Sequence, residues 1–244
     1  MFPIERREKI MEYLEENGSI TVEELAKKLE VTSMTIRRDL KYLEENNRIT
    51  RTFGGAVTKD GLVDEVAVSQ KAATFHKEKK RIAKTAVEMV ENGQTVILDA
   101  GTTNMEIALE LIRNEKEISV VTGDILIAAA LLEVPHIEVY CTGGHVQKYI
   151  GACLGGHAEA FFREINADIA FIGASAVDVE KGVSSPTQEK AMLKKQQIDC
   201  AEKKILVTDS SKFGKISFAK ICGLDTFDLM ITDKELDDKI AKSL

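Results

Sequence analysis

The sequence predicts an α/β chain in two parts. Residues 1–57 read as a winged helix-turn-helix unit, 58–75 as a linker, and 76–244 as a Rossmann-like domain with a mostly parallel sheet. Three observations carry this. Short amphipathic helices precede an alternating stretch that turns on Gly54-Gly55. Beyond residue 76, continuous apolar strands alternate with helical segments, the pattern of a parallel sheet covered on both faces. Each of those strands ends in glycines, hydroxyls or charged residues, where an open parallel sheet binds ligands.

In the N-terminal unit the first helix carries Ile4, Ile10, Met11 and Leu14 and stops at Asn17-Gly18. In "SITVEELAKKL", Thr21 is the N-cap and Glu24 completes a capping box, with Leu25, Ala26 and Leu29 as the apolar face. Thr32 or Ser33 caps the third helix, on which Ile36, Leu40 and Leu43 form one buried stripe. At 3.6 residues per turn, Met34, Arg38 and Lys41 then face outward, flanked by Thr35 and Arg37. "RITRTFGGAV" alternates and turns as a short hairpin, adding Arg48 and Arg51. Cations concentrated on one helix and a hairpin tip, in a chain of net charge −7, point to a polyanion.

The second part supplies the candidate ligand groups at its strand ends. They are Asp99, Gly101, Thr102 and Thr103 after "TVIL", Thr122 after "ISVV", and Gly143-Gly144 with Lys148 nearby. Gly173 and Asp178 follow "ADIAFI", Glu189 opens a later helix, and Lys212 stands in "DSSKFG". In "LDAGTTN" a strand runs straight into a helix, so amides and two threonine hydroxyls are placed to cradle a phosphate. Lys212 neutralises the same anion, while Asp99, Asp178 and Glu189 suit sugar hydroxyls. Read without that ligand, Gly-Thr-Thr caps a helix and Glu189 matches a helix dipole. The run Lys77, Lys79, Lys80, Arg81 and Lys84 reads as a solvated face or a contact to DNA phosphate.

Composition sets outer limits. Hydrophobic residues make up 44% and charged residues 30%, enough to bury a core. The longest apolar run, "ILIAAALL", is too short to span a bilayer, and the charged N-terminus lacks a signal-peptide pattern. A cytoplasmic location and no membrane partner are expected. Cys141, Cys153, Cys200 and Cys222 show no CxxC spacing and read as reduced, mostly buried thiols. With His76, His136, His145 and His157 they make no ligand motif, so neither metal nor cofactor is expected.

Both halves resemble the bacterial DeoR-type transcriptional regulators. "TVEELAKKLEVTSMTIRRDLKYLEENNRITRTFGGAV" is close to that family's helix-turn-helix and wing, with Thr52-Phe53 where many members carry Val-His. "LDAGTT", "VVTGD", "GGHV", "AFIGASAVD" and "DSSKFG" occur in the family's order. The resemblance implies a DNA-binding domain fused to a sensor domain for a phosphorylated sugar, usually repressing a carbohydrate operon and released by the effector. It also implies a sensor fold similar to ribose-5-phosphate isomerase, whose phosphate loop looks like Gly101 to Thr103. Glu189 looks like the isomerase's acid-base glutamate, whereas its catalytic lysine is not evident in "VEKGVSSPTQEK".

The leading reading is therefore a non-enzymatic repressor that binds operator DNA as a homo-oligomer, dimer or tetramer. Its expected DNA contacts are Thr21, Ser33, Met34, Thr35, Arg37, Arg38, Lys41, Arg48, Arg51, Gly54 and Gly55. Two rivals are a sugar-phosphate isomerase tethered to DNA, which needs a positioned acid and base, and a constitutive architectural DNA-binding protein.

Overall fold

The computed structural model describes residues 2–17, 19–46, 48–52, 55–58 and 68–244. Two compact units divide at Leu62 and Val63. In the first, α1 (Pro3–Asn17), α2 (Val22–Lys28) and α3 (Ser33–Glu45) surround a sheet of β1 (Ser19–Thr21), β2 (Ile49–Thr52) and β3 (Gly55–Thr58). The strand order is β1-β3-β2, antiparallel throughout. β1 was not foreseen: three residues offer too short a window for alternation, and only pairing with β3 makes them a strand.

One apolar cluster holds this unit, built from Ile10, Leu14, Leu25, Ile36, Leu40, Leu43 and Ile49 with smaller neighbours. The expected stripe on α3 is buried. Of the apolar residues that α1 carries, Ile10 and Leu14 are buried and Ile4 is 70% exposed. Thr21 and Glu24 form the capping box on α2, and Thr32 caps α3 by accepting the Thr35 amide at 3.3 Å, leaving Ser33 as the first helical residue. Replacing Thr32 by alanine removes that acceptor and should cost about 1 kcal/mol of stability in denaturant unfolding.

The core of α3 also buries a carboxylate. Asp39 Oδ2 accepts from Arg6 Nε at 2.5 Å and Oδ1 from Arg7 Nε at 3.0 Å, with both Asp39 and Arg6 withdrawn from solvent. Arg7 additionally lies over the Tyr42 ring, 3.6 Å from its centroid. The α1–α3 packing is thus pinned by charge as well as by apolar contact.

The second unit begins with α4 (Val68–Ala73), so the expected linker over 58–75 is helical in its latter part; 59–67 lie outside the described residues. α5 (His76–Glu88) ends with Met89 as its C-cap. Then follow β4 (Thr95–Leu98), α6 (Thr102–Asn114), β5 (Ile118–Thr122), α7 (Ile125–Leu131) and β6 (Ile137–Cys141). A ribbon of β7 (His145–Val146) and β8 (Cys153–Leu154) leads into α8 (Gly156–Arg163) and β9 (Ala167–Gly173). The remainder is β10 (Ala176–Asp178), β11 (Gly182–Ser185), α9 (Gln188–Asp199), β12 (Ala201–Val207), β13 (Ala219–Cys222), β14 (Leu229–Ile231) and α10 (Asp238–Ala241).

The main sheet has six parallel strands in the order β14-β12-β9-β4-β5-β6. Alternate residues of each central strand enter opposite cores. Val96, Leu98, Ile169 and Phe171 pack with α5, α6 and α7, while Ile97, Ala170 and Ile172 pack with α8 and α9. Both faces are therefore covered, as continuous apolar strands require. "ADIAFIGASAVD" is two strands, because β10 leaves the main sheet to form an antiparallel sheet β10-β11-β13. The order of strands reverses between β4 and β9, and ligands bind at such switch points.

Candidate functional site

A pocket opens at that switch point. Its wall includes Asp99 and Gly101 to Asn104 from the end of β4 and start of α6, and Gly173 to Ser175 from the end of β9. Lys190 and Lys194 come from α9, Thr208, Asp209 and Lys212 from the end of β12, and Lys71 and Lys79 from α4 and α5. Five lysines thus meet two aspartates around the N-terminus of a helix, an arrangement that favours an anion.

The local sequence explains the loop. Gly101 has φ +148°, which only glycine adopts readily, and open space lies where a Cβ would point. Its amide donates to Asp124 Oδ2 at 3.2 Å, and Asp124 Oδ1 caps α7 through the Leu126 amide at 2.9 Å. Burial pushes the Asp124 carboxyl above its ordinary pKa, against the pull of those amides. Thr102 and Thr103 hydroxyls make no hydrogen bond among the described residues. Lys194 Nζ bonds the buried carboxylate of Asp99 and, at 3.0 Å, the Gly173 carbonyl, tying β4 to β9. In "DSSKFG", the Ser211 amide donates to Asp209 Oδ1 at 3.1 Å and the Ser210 amide to Asp233 Oδ2 at 2.7 Å, which fixes the turn bearing Lys212.

Lys79 departs from the solvated or DNA-facing role expected for the basic run. Lys77, Lys80, Arg81 and Lys84 are exposed, but Lys79 is buried and donates to the carbonyls of Lys71 and, at 2.8 Å, Thr74. Desolvation lowers its pKa; Asp209 and Glu106 oppose that, while Lys212 and Lys71 reinforce it. Lys79 therefore holds the end of α4 over the pocket, and Phe75 between them takes a left-handed φ of +51°.

Of the other expected effector residues, the pocket wall excludes six. Thr122 is buried and spends its hydroxyl on the Leu98 carbonyl at 2.7 Å. Asp178 closes the β10–β11 turn by accepting the Glu180 and Lys181 amides at 3.0 and 2.7 Å. Gly143 and Gly144 shape the β6–β7 loop at φ +66° and +112°, and Lys148 is exposed on the ribbon. Glu189 is exposed in the first turn of α9, where its charge meets the helix dipole. Lys194 and Asn104 were missed. Lys194 follows Lys190 by four residues and so shares its helix face, and Asn104 directly follows the Gly-Thr-Thr loop.

Among the cysteines only Cys153 is buried; Cys141 is exposed, correcting the mostly buried reading, and burial pushes the Cys153 thiol to about 11. No cluster of three or more His, Cys, Asp or Glu fit to hold a metal occurs among the described residues, and none of their helices is long and apolar enough to cross a membrane.

On the N-terminal unit, α2, its turn and α3 form the helix-turn-helix. The turn takes φ +52° at Glu30. Met34, Arg37, Arg38 and Lys41 are exposed on α3, with Thr35 and Ser33 half-buried at its start. Arg37 and Arg38 make no ion pair among the described residues, while Lys41 pairs loosely with Glu45 at 3.7 Å. The hydroxyl of Thr21 is engaged in its capping box. Arg48 is exposed before the wing; Gly55 pairs with Thr52 across it. Gly54 and the side chain of Arg51 lie outside the described residues.

Residues 6–61 match the DeoR-like helix-turn-helix domain, and residues 74–234 match the DeoR C terminal sensor domain. The chain belongs to the DeoR family. It is a DNA-binding transcriptional regulator of that family. It is 38% identical over 237 residues to the HTH-type transcriptional regulator GlpR of Haloferax volcanii, 97% of this chain and 92% of that protein. The HTH-type transcriptional repressor GlcR of Bacillus subtilis is 33% identical, over 96% of this chain and 90% of that one. Among solved structures, ribose 5-phosphate isomerase A of Methanocaldococcus jannaschii aligns with TM-score 0.43 and 19% identity, over 57% of this chain and 55% of that chain.

Proposed function

We propose that this DeoR-family regulator represses a carbohydrate-utilisation operon in the cytoplasm and leaves its operator when a phosphorylated sugar or related metabolite binds the switch-point pocket. The observation that carries the reading is that Lys79, Lys190 and Lys212 line the same pocket as the amide-rich start of α6. Phosphate would take the Gly101–Thr103 amides and the Thr102 and Thr103 hydroxyls, with Lys212 as counter-charge. On DNA, α3 enters the major groove with Thr35, Arg37 and Arg38 at base edges or phosphates, and the wing brings Arg51 and Gly54-Gly55 to the backbone. A homo-oligomer, dimer or tetramer, would read a palindromic or directly repeated operator.

Release requires a ligand that prefers one conformation over the other. α4 is the element suited to report it, since it lies on the pocket wall and follows directly in sequence on residues 59–67. The chain acts as a sensor without turnover in this reading. Glu189, the acid-base candidate, is exposed and off the pocket wall, which supports sensing over isomerisation.

Thermal shift against glucose 6-phosphate, fructose 6-phosphate, ribose 5-phosphate and glycerol 3-phosphate tests the site, because a ligand that binds only the native state raises Tm by mass action. A rise is expected for at least one ester in the wild type. Thr102→Val combined with Lys212→Ala should abolish it while leaving DNA affinity unchanged. An equal rise with the unphosphorylated sugar would remove the phosphate cradle.

A further inference from the structure

The floor of the pocket carries a polar group that the fold leaves unused. Asn104, in the first turn of α6, is 1% exposed, and both its Oδ1 and Nδ2 lack a hydrogen-bond partner. Among the described residues other buried polar atoms also lack a partner, and of those residues Asn104 alone lines this pocket. Leaving such a group unpaired costs stability, so its retention calls for a partner that arrives from elsewhere.

The surroundings say what that partner is. Gly173 has no left-handed φ, so its backbone does not demand glycine. The demand is space: a methyl group there would stand 3.6 Å from Asn104 Nδ2 and 3.3 Å from Asp99 Oδ2. Asp99 is matched in charge by Lys194, which spends two bonds on Asp99 and the Gly173 carbonyl. The surroundings of Asn104 are thus polar but charge-balanced through the Asp99–Lys194 pair. An amide offers a donor and an acceptor together, which a hydroxyl can satisfy at once. A second anionic group would instead meet the Asp99 carboxylate.

We propose that Asn104 is a specificity-determining ligand contact that reads a hydroxyl on the neutral end of the effector, so that the pocket selects singly phosphorylated polyols over free phosphate and bisphosphates. This rests on the anion-pocket reading above. A site built to bond a hydroxyl discriminates strongly against analogues that lack it.

The test measures Kd by calorimetry on the full chain with inorganic phosphate, fructose 1,6-bisphosphate and the four single esters named above. Wild type should bind its best single ester at least about tenfold tighter than phosphate, since one buried polar contact supplies roughly that factor. Asn104→Leu should keep the phosphate Kd and lose the preference. It should also leave the ligand-free Tm unchanged or raised, because an apolar side chain removes an unpaired amide. Gly173→Ala, which narrows the same floor, should weaken the ester more than phosphate. A preference retained in Asn104→Leu overturns the proposal, as does a wild type that prefers phosphate or the bisphosphate. A lowered ligand-free Tm in Asn104→Leu overturns it too, since the amide would then serve the fold. No binding of any of these anions would remove the pocket reading itself.

Discussion

Replacing Asp39 by alanine should cost the N-terminal unit about 3–5 kcal/mol, the loss typical when one partner of a buried ion pair is removed. The cause is not the missing attraction alone. Arg6 and Arg7 both converge on this carboxylate, and the buried Arg6 would lose the charged acceptor that its Nε bonds at 2.5 Å. Urea unfolding followed by far-ultraviolet dichroism measures the effect, and DNA binding should fall with it. Arg6→Leu in the Asp39→Leu background should recover part of the stability, because an apolar pair avoids burying a guanidinium that has lost this carboxylate. A single-variant loss below about 1 kcal/mol, the range of an exposed ion pair, would show that the cluster is solvated.

Alanine at both Arg37 and Arg38 should weaken operator binding by at least about tenfold while leaving urea stability unchanged. Both side chains project from α3 into solvent, so the fold does not use them. A base-edge contact is worth about 1–3 kcal/mol and relaxes sequence preference, whereas a phosphate contact lowers the salt slope by about one unit. Fluorescence anisotropy across a salt series separates these roles for each arginine. Wild-type affinity and slope in the double variant would remove α3 as the reading helix.

Asp39 and Arg38 are neighbours in sequence, and they show where sequence reading succeeds and fails. The outward face of α3 was legible because Ile36, Leu40 and Leu43 repeat with the helical period. Asp39 was not, since "RRDL" looks like a charged surface and its partners lie 32 and 33 residues away. The same contrast holds in the sensor unit. "LDAGTT" announces a strand, a tight loop and a helix start through local chemistry alone. Lys79 sits inside a lysine-rich run and is distinguished only by α4 packing beside it. Thr122 and Asp178 carry the right chemistry at strand ends, yet each is used up by a nearby backbone group. Strand-end position therefore points to the pocket, and assigns individual residues to its wall poorly.

The central claim, that the pocket controls DNA binding without catalysis, is tested most directly by one titration. The purified chain is bound to a fluorescent DNA fragment that it has selected from a random pool. The four single phosphate esters are then added, with anisotropy and ester composition followed together. Release by at least one ester, recovered chemically unchanged, is the predicted result. DNA that stays bound at saturating ester, or an ester converted in a reaction abolished by Glu189→Gln, would contradict it.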